Sequence, residues 1–233
     1  MLVTVLVPTL NEEGGIGPTI DSIDRAAFAS RGWGLEVLVV DGASKDRTVA
    51  IAESKGARIV VEPRRGYGLA YKRGFSESRG DVIVTGDADG SYPLERAHEY
   101  VDRLLADGLD FMTCDRYGHL SQGAMSAKHR FGNWALSATA RTLFRIRLRD
   151  SQSGMWILRR EALPRLGLDH LSNGMAFSQE IKIAAFRNGL RAAEVPASLR
   201  PRIGKPVLSS WRDGLKNLGG LFALRLRRRS SAR

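Results

Sequence analysis

Several features that define protein classes are scarce or missing in this chain of 233 residues. Its one cysteine, Cys114, excludes an internal disulfide, and no cluster of cysteines and histidines has the spacing of a zinc site. No apolar run reaches the roughly 18–20 residues that a membrane-spanning helix requires. The apolar start lacks the basic segment of a signal peptide. These absences predict a protein of a reducing compartment, without a transmembrane helix or a leader.

Internal repeats and linkers are also missing, which predicts one large domain with a buried core. Hydrophobic residues make up 43% of the chain and charged residues 26%, as in ordinary globular proteins. The formal net charge is +11, from 36 lysines and arginines against 25 acidic residues. Such an excess favours binding to polyanions, namely nucleic acid, nucleotide phosphates or an anionic membrane surface.

Short apolar runs alternate with segments of helical periodicity along most of the chain. The runs at 2–7, 36–40, 57–62 and 82–85 predict buried strands. Helical patterns of about ten to fifteen residues separate them, including one through 16–31. Later strands are predicted at 109–114, at the end of the polar segment 148–158 and at 191–196. The pattern predicts an α/β fold, a single domain with a mostly parallel central sheet and helices on both faces. Residues 118–125 have no periodicity, and we expect a mobile lid there.

Two carboxylates follow the strand at 82–85. Asp87 and Asp89 are two residues apart, so in extended chain they lie on one side and can converge. Two close carboxylates repel unless a cation lies between them, and hard oxygen ligands suit Mg²⁺ or Mn²⁺ bridging phosphates. The alternative is an ordinary polar turn that closes a strand.

Other polar residues follow neighbouring strands. Residues 8–11 follow the first strand and Asp41 follows the second. Ligands of parallel sheets bind at the carboxyl ends of the strands, so three loops are expected to build one site there. Asp41 is a candidate residue of this site, although a turn that begins a helix is its alternative role.

Five segments, in order, resemble the family 2 glycosyltransferases, inverting enzymes with the GT-A fold. They are most similar to the synthases of polyprenyl-phosphate hexoses, such as dolichyl-phosphate mannose or glucose. The segments are 7–12 (VPTLNE), 39–48 (VVDGASKDRT), 87–89 (DAD), 150–155 (DSQSGM) and 179–180 (QE). The resemblance extends from about residue 3 to residue 215. We expect a GT-A domain of residues 1–208, followed by a basic amphipathic segment of residues 209–233.

The resemblance implies transfer of a hexose from a UDP- or GDP-sugar to polyprenyl phosphate, with Mg²⁺ or Mn²⁺ as cofactor. The metal side comprises Asp87, Asp89 and Ser91, and the catalytic residues Asp87, Asp89, Asp150 and Glu180. The donor side comprises Pro8, Asn11, Glu12, Asp41, Ser44, Asp46, Ala88, Arg202 and Lys205. The acceptor side comprises Lys128, His129, Arg130 and Ser153. For Glu180 a structural ion pair is the alternative.

Two positions depart from the family pattern. Ser91 stands where many relatives have glutamine as a further metal ligand, and the late R-x-G-x-S-K element is 202–207 (RIGKPV) here. A phosphate acceptor is already ionised, so the resemblance requires no strong general base. Apart from His129, the histidines His98, His119 and His170 are accordingly expected on the surface or in the core.

Residues 209–233 combine apolar positions at helical spacing with positive charge. The last nine residues include five arginines and no acid. Such a segment is typical of a helix lying on an anionic membrane surface, and we favour peripheral contact with the cytoplasmic face. The alternative is a helix packed on its own domain with a frayed basic end.

Two further functional hypotheses remain. One keeps the nucleotide-sugar half of the site but uses a soluble or protein acceptor. The weakest is a non-enzymatic α/β module that binds polyanions. Nucleic acid is not an expected partner, because the basic runs lack interleaved aromatic residues and a recognition motif.

Overall fold

The computed structural model describes residues 1–121, 124–204 and 210–230. Seven strands form one sheet in the order β3-β2-β1-β4-β6-β5-β7. Their bounds are β1 Leu2–Thr9, β2 Gly34–Asp41, β3 Arg58–Val61, β4 Val82–Thr85, β5 Phe111–Leu120, β6 Trp156–Arg159 and β7 Ala192–Leu199. Strands β1 to β4 pair in parallel, as do β5 and β7, whereas β6 runs antiparallel to both of its neighbours. The predicted mostly parallel sheet is confirmed.

The helices follow the strands in alternation. They are α1 Ile16–Asp21, α2 Arg25–Ser30, α3 Thr48–Ser54, α4 Tyr67–Glu77, α5 Ala97–Ala106, α6 Ala127–Phe144, α7 Leu163–Leu166, α8 Phe177–Arg187 and α9 Ser210–Ser230. Short 3₁₀ turns lie at Leu94–Arg96, Arg160–Ala162 and Leu168–His170.

Alternation along the strands builds a core on each face of the sheet. Val3, Val5 and Val7 of β1 point to the face covered by α1, α2 and α5. Leu6 of β1 points to the opposite face, where Tyr71 of α4 and other aromatic residues pack. Apolar side chains pointing both ways explain why these strands are nearly continuous hydrophobic runs.

Two local predictions were wrong. The helix expected through 16–31 is split into α1 and α2, because the carboxylate of Asp24 accepts a hydrogen bond from Ala27 N at 2.9 Å and begins a new helix. The loop expected at 118–125 begins later, since β5 continues to Leu120 and pairs with Leu199 of β7. Residues 122–123 of that segment lie outside the described residues.

The C-terminal helix α9 packs on the domain through one face. Leu221 and Leu224 are buried against Phe144 of α6 and Ile183 of α8. Asn217 is buried as well. The opposite face exposes Phe222 and Leu226 at 50% and 63%. Within residues 217–226, the helix therefore has one buried side and one side that exposes apolar side chains. Among the described residues, no helix combines the length and the apolar character needed to cross a membrane.

Candidate active site at the carboxyl ends of the strands

A cleft of about 1030 Å³ lies at the carboxyl ends of β1, β2 and β4. Asp87 and Asp89 line this cleft together with Glu12, Arg116 and Arg202. The loop before α8 and the inner face of α9 line its far end. The cleft is thus where parallel sheets bind ligands.

The carboxylate pair sits on a tight turn after β4. Gly90 takes a φ of +70°, a conformation that disfavours other residues, and Ser91 N donates to Asp89 Oδ1 at 3.0 Å. Burial, and then the charge of Asp89, raise the pKa of Asp87 above its usual range. The two carboxylates therefore repel each other, and a cation between them is favoured.

The donor set fits a divalent ion that also binds phosphate. No hydrogen bond to the Asp87 carboxylate is found in the described part of the chain, and Gly154 leaves room beside it. A Cβ at Gly154 would lie 3.2 Å from Asp87 Oδ1 and 3.4 Å from Oδ2. Within residues 1–121, 124–204 and 210–230, no third cysteine, histidine or acid completes a metal cage. Mg²⁺ commonly uses one or two carboxylates together with substrate phosphates.

Glu12 and Arg202 form the wall next to Asp89. Arg202 Nη2 lies 2.9 Å from Glu12 Oε1, and Nη1 lies 3.6 Å from Asp89 Oδ2. Burial is the main cause that raises the pKa of Glu12, and the charge of Arg202 opposes it. Arg202 thus connects the carboxylate of Asp89 to Glu12 in the loop after β1.

The loops after β1 and β2 are tied to each other, and we call them the donor loops (residues 10–15 and 41–48). Asn11 N donates to Ser44 Oγ at 2.8 Å, and Lys45 N donates to Asn11 Oδ1 at 2.8 Å. Asp41 is buried and accepts hydrogen bonds from Ser44 N at 2.8 Å and Ser44 Oγ at 2.5 Å. The predicted donor-side residues Asn11, Asp41 and Ser44 do lie together, but their polar atoms form hydrogen bonds with one another.

Further bonds strengthen the donor loops. Asp46 Oδ2 accepts from Glu13 N at 3.2 Å, and Glu12 N donates to Thr48 Oγ1 at 2.8 Å. Asn11 and Ala43 both have positive φ values, +53° and +61°. Such strained backbone persists only where the surroundings fix it. These side chains shape the donor loops, while Pro8, Leu10 and Gly42 line the cleft itself.

Another wall of the cleft contains a buried ion pair that the sequence analysis did not identify. Arg116 Nε and Nη2 lie 2.6 and 2.9 Å from Asp150 Oδ2 and Oδ1. Asp150 is fully buried, and although burial opposes it, Arg116 lowers its pKa. Nη1 of Arg116 donates no hydrogen bond among the described residues, and Arg116 lines the cleft. Asp150 thus holds Arg116 and does not itself line the cleft.

Amide side chains link this wall to α8 and α9. Gln152 Nε2 donates to Gln179 Oε1 at 3.1 Å, Gln179 Nε2 donates to Asn217 O at 2.6 Å, and Asn217 Nδ2 donates to Gln152 Oε1 at 3.0 Å. Glu180 lines the far end of the cleft, where it accepts a hydrogen bond from Ser172 N at 2.5 Å. α9 is therefore part of the site.

The remaining predicted residues lie elsewhere. Ser91 and Ser153 are buried beside the cleft without lining it, whereas Ala88 lines it. Arg130 lines a second groove of about 590 Å³, beside Tyr117, Phe131 and Trp134. Lys128 and His129 precede it on α6. Lys205 lies outside the described residues. The assignments of all these residues remain predictions.

Arg116, Tyr67 and Tyr92 are cleft residues that sequence reasoning missed. Burial raises the pKa of each tyrosine, and Tyr92 Oη accepts a hydrogen bond from Gly154 N at 2.7 Å. Arg116 lies two residues after the strand predicted at 109–114, at the same sheet edge as Asp87. Its position after a strand was the available signal.

Residues 4–167 match the family model of glycosyl transferase family 2. The chain belongs to this family, and its fold is that of the GT-A glycosyltransferases. The resemblance in the sequence is thereby confirmed.

Two relatives from Haloferax volcanii are similar over most of the chain. The low-salt glycan biosynthesis hexosyltransferase Agl6 is 35% identical over 218 residues, which cover 92% of this chain and 52% of the relative. A dolichyl-phosphate hexose transferase is 34% identical over 212 residues, covering 90% of this chain and 88% of the relative. The chain thus spans about half the length of one relative and most of the other.

A solved structure shares the fold. Glucosyl-3-phosphoglycerate synthase from Mycobacterium tuberculosis, in complex with phosphoglyceric acid, superposes with a TM-score of 0.74 at 25% identity, covering 95% of this chain and 79% of that one. Its complex with Mn²⁺, UDP-glucose and phosphoglyceric acid gives 0.73 at 23% identity, covering 96% and 79%.

Proposed function

We propose that the protein moves a hexose from a UDP- or GDP-sugar to polyprenyl phosphate, with inversion and with Mg²⁺ or Mn²⁺ as cofactor. The observation that carries this proposal is one cleft that combines the Asp87–Asp89 pair with Arg202 and Arg116. Carboxylates suit a divalent ion, and arginines suit phosphate. A sugar donor with a pyrophosphate and an acceptor with a phosphate need both.

The donor half of the proposal rests on the metal-side wall. Asp87 and Asp89 would hold the ion, which neutralises charge on the pyrophosphate leaving group. Arg202 can offer two parallel hydrogen bonds to the same phosphates. The donor loops, fixed by the Asp41, Ser44 and Asp46 bonds, give the nucleoside a rigid wall.

The acceptor half rests on Arg116. Asp150 accepts hydrogen bonds from Nε and Nη2 of Arg116, which fixes the guanidinium plane and leaves Nη1 without a partner among the described residues. A phosphate held there is already ionised and needs little proton removal to attack the sugar. Asp150 would then position Arg116 without touching the substrate. Glu180 would shape the far end of the cleft through the loop that ends at Ser172.

The acceptor identity draws on the relatives. The name of the dolichyl-phosphate hexose transferase, 34% identical, supports a lipid phosphate. The phosphoglyceric acid bound to the structural neighbour favours the alternative, a soluble phosphate acceptor.

Two helices supply a surface that suits a membrane, and we call α6 and α9 the basic layer. Residues 127–149, which include α6, carry six lysines and arginines and no acid. Phe131 and Trp134 of α6 are exposed at 69% and 54%, and α9 exposes Phe222 and Leu226. Exposed apolar rings among cations are typical of a helix at an anionic bilayer. We propose peripheral contact with the cytoplasmic face through this layer, including residues 209–233.

A transfer assay tests the proposal. The protein is incubated with Mn²⁺ or Mg²⁺ and a panel of nucleotide sugars, with a short polyprenyl phosphate, with 3-phosphoglycerate or without acceptor. Release of nucleoside diphosphate that requires the lipid phosphate is expected. Release with 3-phosphoglycerate alone supports the soluble-acceptor alternative, and no release with any donor refutes the enzyme proposal for this chain.

A further inference from the structure

One arginine lies between two carboxylates that border the proposed metal site. Arg202 uses Nη2 for Glu12 at 2.9 Å and Nη1 for Asp89 at 3.6 Å. The next residue, Ile203, fixes the segment to the same turn, because its N–H donates to the Asp89 carbonyl at 2.8 Å. The guanidinium is therefore an internal cation beside a carboxylate that a divalent ion would use.

Arg202 is held less firmly than the other arginine of the cleft. Its Nε is buried and has no hydrogen-bond partner in the described part of the chain, and 31% of its side chain is exposed. Arg116 instead forms two bonds to one carboxylate, at 2.6 and 2.9 Å, with 11% exposed. Of the two, Arg202 is the one whose contacts can be exchanged for others.

We propose that Arg202 is an exchangeable counter-cation: it neutralises Glu12 and Asp89 until a divalent ion binds, and then moves onto the donor phosphates. Two cations a few ångströms apart at one carboxylate repel each other strongly. Phosphate oxygens offer the displaced guanidinium better, bidentate partners. The inference rests on the proposed metal site at Asp87 and Asp89.

The exchange couples the two ligands. A metal ion without nucleotide must displace Arg202 with no new partner for it, so the ion alone should bind weakly. A nucleotide supplies that partner, so metal and nucleotide should each strengthen the binding of the other. An arginine with only a structural role would not weaken the binding of the metal ion and strengthen the binding of the nucleotide.

Arg202→Gln separates the two effects by their sign. Titration calorimetry and Mn²⁺ electron paramagnetic resonance measure Mn²⁺ affinity without nucleotide, and UDP or GDP affinity at saturating Mn²⁺. We expect Mn²⁺ alone to bind roughly three- to tenfold more tightly, because a competing charge is gone. Nucleotide should bind about tenfold more weakly, because a charge-assisted contact is lost. Thermal melting verifies that the variant is folded.

Arg200→Gln is the matched control, since Arg200 lies two residues away and pairs with Glu95 outside the cleft. It removes the same charge and should change neither affinity. Arg202→Lys keeps the charge, but one ammonium does not span both carboxylates, so intermediate Mn²⁺ affinity is expected. Tightening by Arg200→Gln as large as that by Arg202→Gln, or a Lys variant identical to wild type, would overturn the exchange in favour of net charge.

The remaining outcomes also decide. Wild type that binds Mn²⁺ while Arg202→Gln binds it no more tightly refutes the exchange alone. Wild type that binds no Mn²⁺, with or without UDP or GDP, refutes the metal site and the exchange with it. Asp89→Asn, which should lose Mn²⁺ binding, identifies the site being measured.

Discussion

The donor loops and the basic layer differ in charge and in how they are held. The donor loops are cross-linked by short hydrogen bonds from side chains to backbone, as between Asn11 and Ser44. In the basic layer, a small apolar cluster joins the two helices, with Leu221 and Leu224 against Phe144. Its surface exposes aromatic rings together with Lys128 and Arg130. Rigid polar loops suit a small charged donor whose atoms must be placed accurately. A surface of rings and cations suits an extended, poorly defined anionic partner.

The charge contrast divides the proposed reaction between the two regions. In the proposed reaction, the carboxylates would hold the ion at the leaving group, and the cations would attract an acceptor phosphate. Arg116 and Tyr117, two neighbouring residues of β5, connect the two regions. Arg116 lines the cleft and Tyr117 lines the groove of the basic layer. The following predictions test whether the two regions are functionally separate.

The largest effect is expected at the carboxylate pair. Asp89→Asn should lower turnover roughly a thousandfold, since the ion supplies several kcal/mol of charge stabilisation. The fold should survive, which thermal melting measures. Asp102→Asn, an exposed carboxylate paired with Arg31, is the control and should be silent. Unchanged turnover in Asp89→Asn, or full activity in EDTA, would remove the metal from the donor region.

The basic layer should act on the acceptor alone. Arg130→Ala should raise the apparent KM for lipid phosphate about tenfold, because Arg130 lines the second groove and not the cleft, so its loss weakens the attraction of the anionic lipid and leaves the phosphate contact of Arg116 in place. Nucleotide affinity should stay unchanged, and Arg187→Ala, an exposed position on α8, is the control. If Arg130→Ala is silent and a non-phosphorylated acceptor works equally well, the soluble-acceptor alternative prevails.

Membrane contact tests the rings of the basic layer. Phe131→Ser combined with Trp134→Ser should weaken sedimentation with anionic vesicles about tenfold, because two exposed rings no longer bury apolar area in lipid. Val61→Ser removes a residue that is 53% exposed on the far edge of the sheet, and it should have no effect. Equal binding of both variants and wild type would mean that the rings serve another purpose.

The last prediction concerns folding stability and not activity, at a lysine next to the Arg116–Asp150 pair. Burial lowers the pKa of Lys182 to about 7, and its Nζ donates to Asp150 O at 3.2 Å. Between pH 7 and the ordinary lysine pKa, the unfolded chain binds the proton that the folded chain has lost. The folding stability that depends on Lys182 therefore rises with pH, by up to about 1.4 kcal/mol per unit.

Lys182→Met should remove that rise while the Arg116–Asp150 pair stays in place. Denaturant unfolding at pH 7, 8 and 9 measures it, with wild type as the reference. Parallel stability curves for the two proteins would show that Lys182 keeps its proton in the folded state.

The sequence predicted most of the fold because strand and helix periods are local properties. Val82–Thr85 has the predicted bounds. The errors arose where a tertiary contact overrode local pattern. Pairing with β7 extends β5 through Gly118, which looks like a loop residue, and the Asp24 cap divides a periodic stretch that looked continuous.

For the site, the sequence by itself determined which carboxylates end the strands. Asp87, Asp89 and Asp41 follow β-branched runs, and parallel strands bring such ends to one edge. The sequence did not show that the Asp41 carboxylate would accept hydrogen bonds from Ser44, or that Asp150 would form an ion pair with Arg116. Arg116 and Asp150 are 34 positions apart in the chain, so only the folded structure brings their side chains into contact.

The basic C-terminal helix shows the same division. Its amphipathic spacing and its arginines are legible in the sequence, but two environments suit such a helix equally well. Only the tertiary structure decided that Asn217, Leu221 and Leu224 face the domain and that Gly220 borders the cleft. Burial is a property of the surrounding chain, because the same apolar side chain is stabilised by any surface that excludes water.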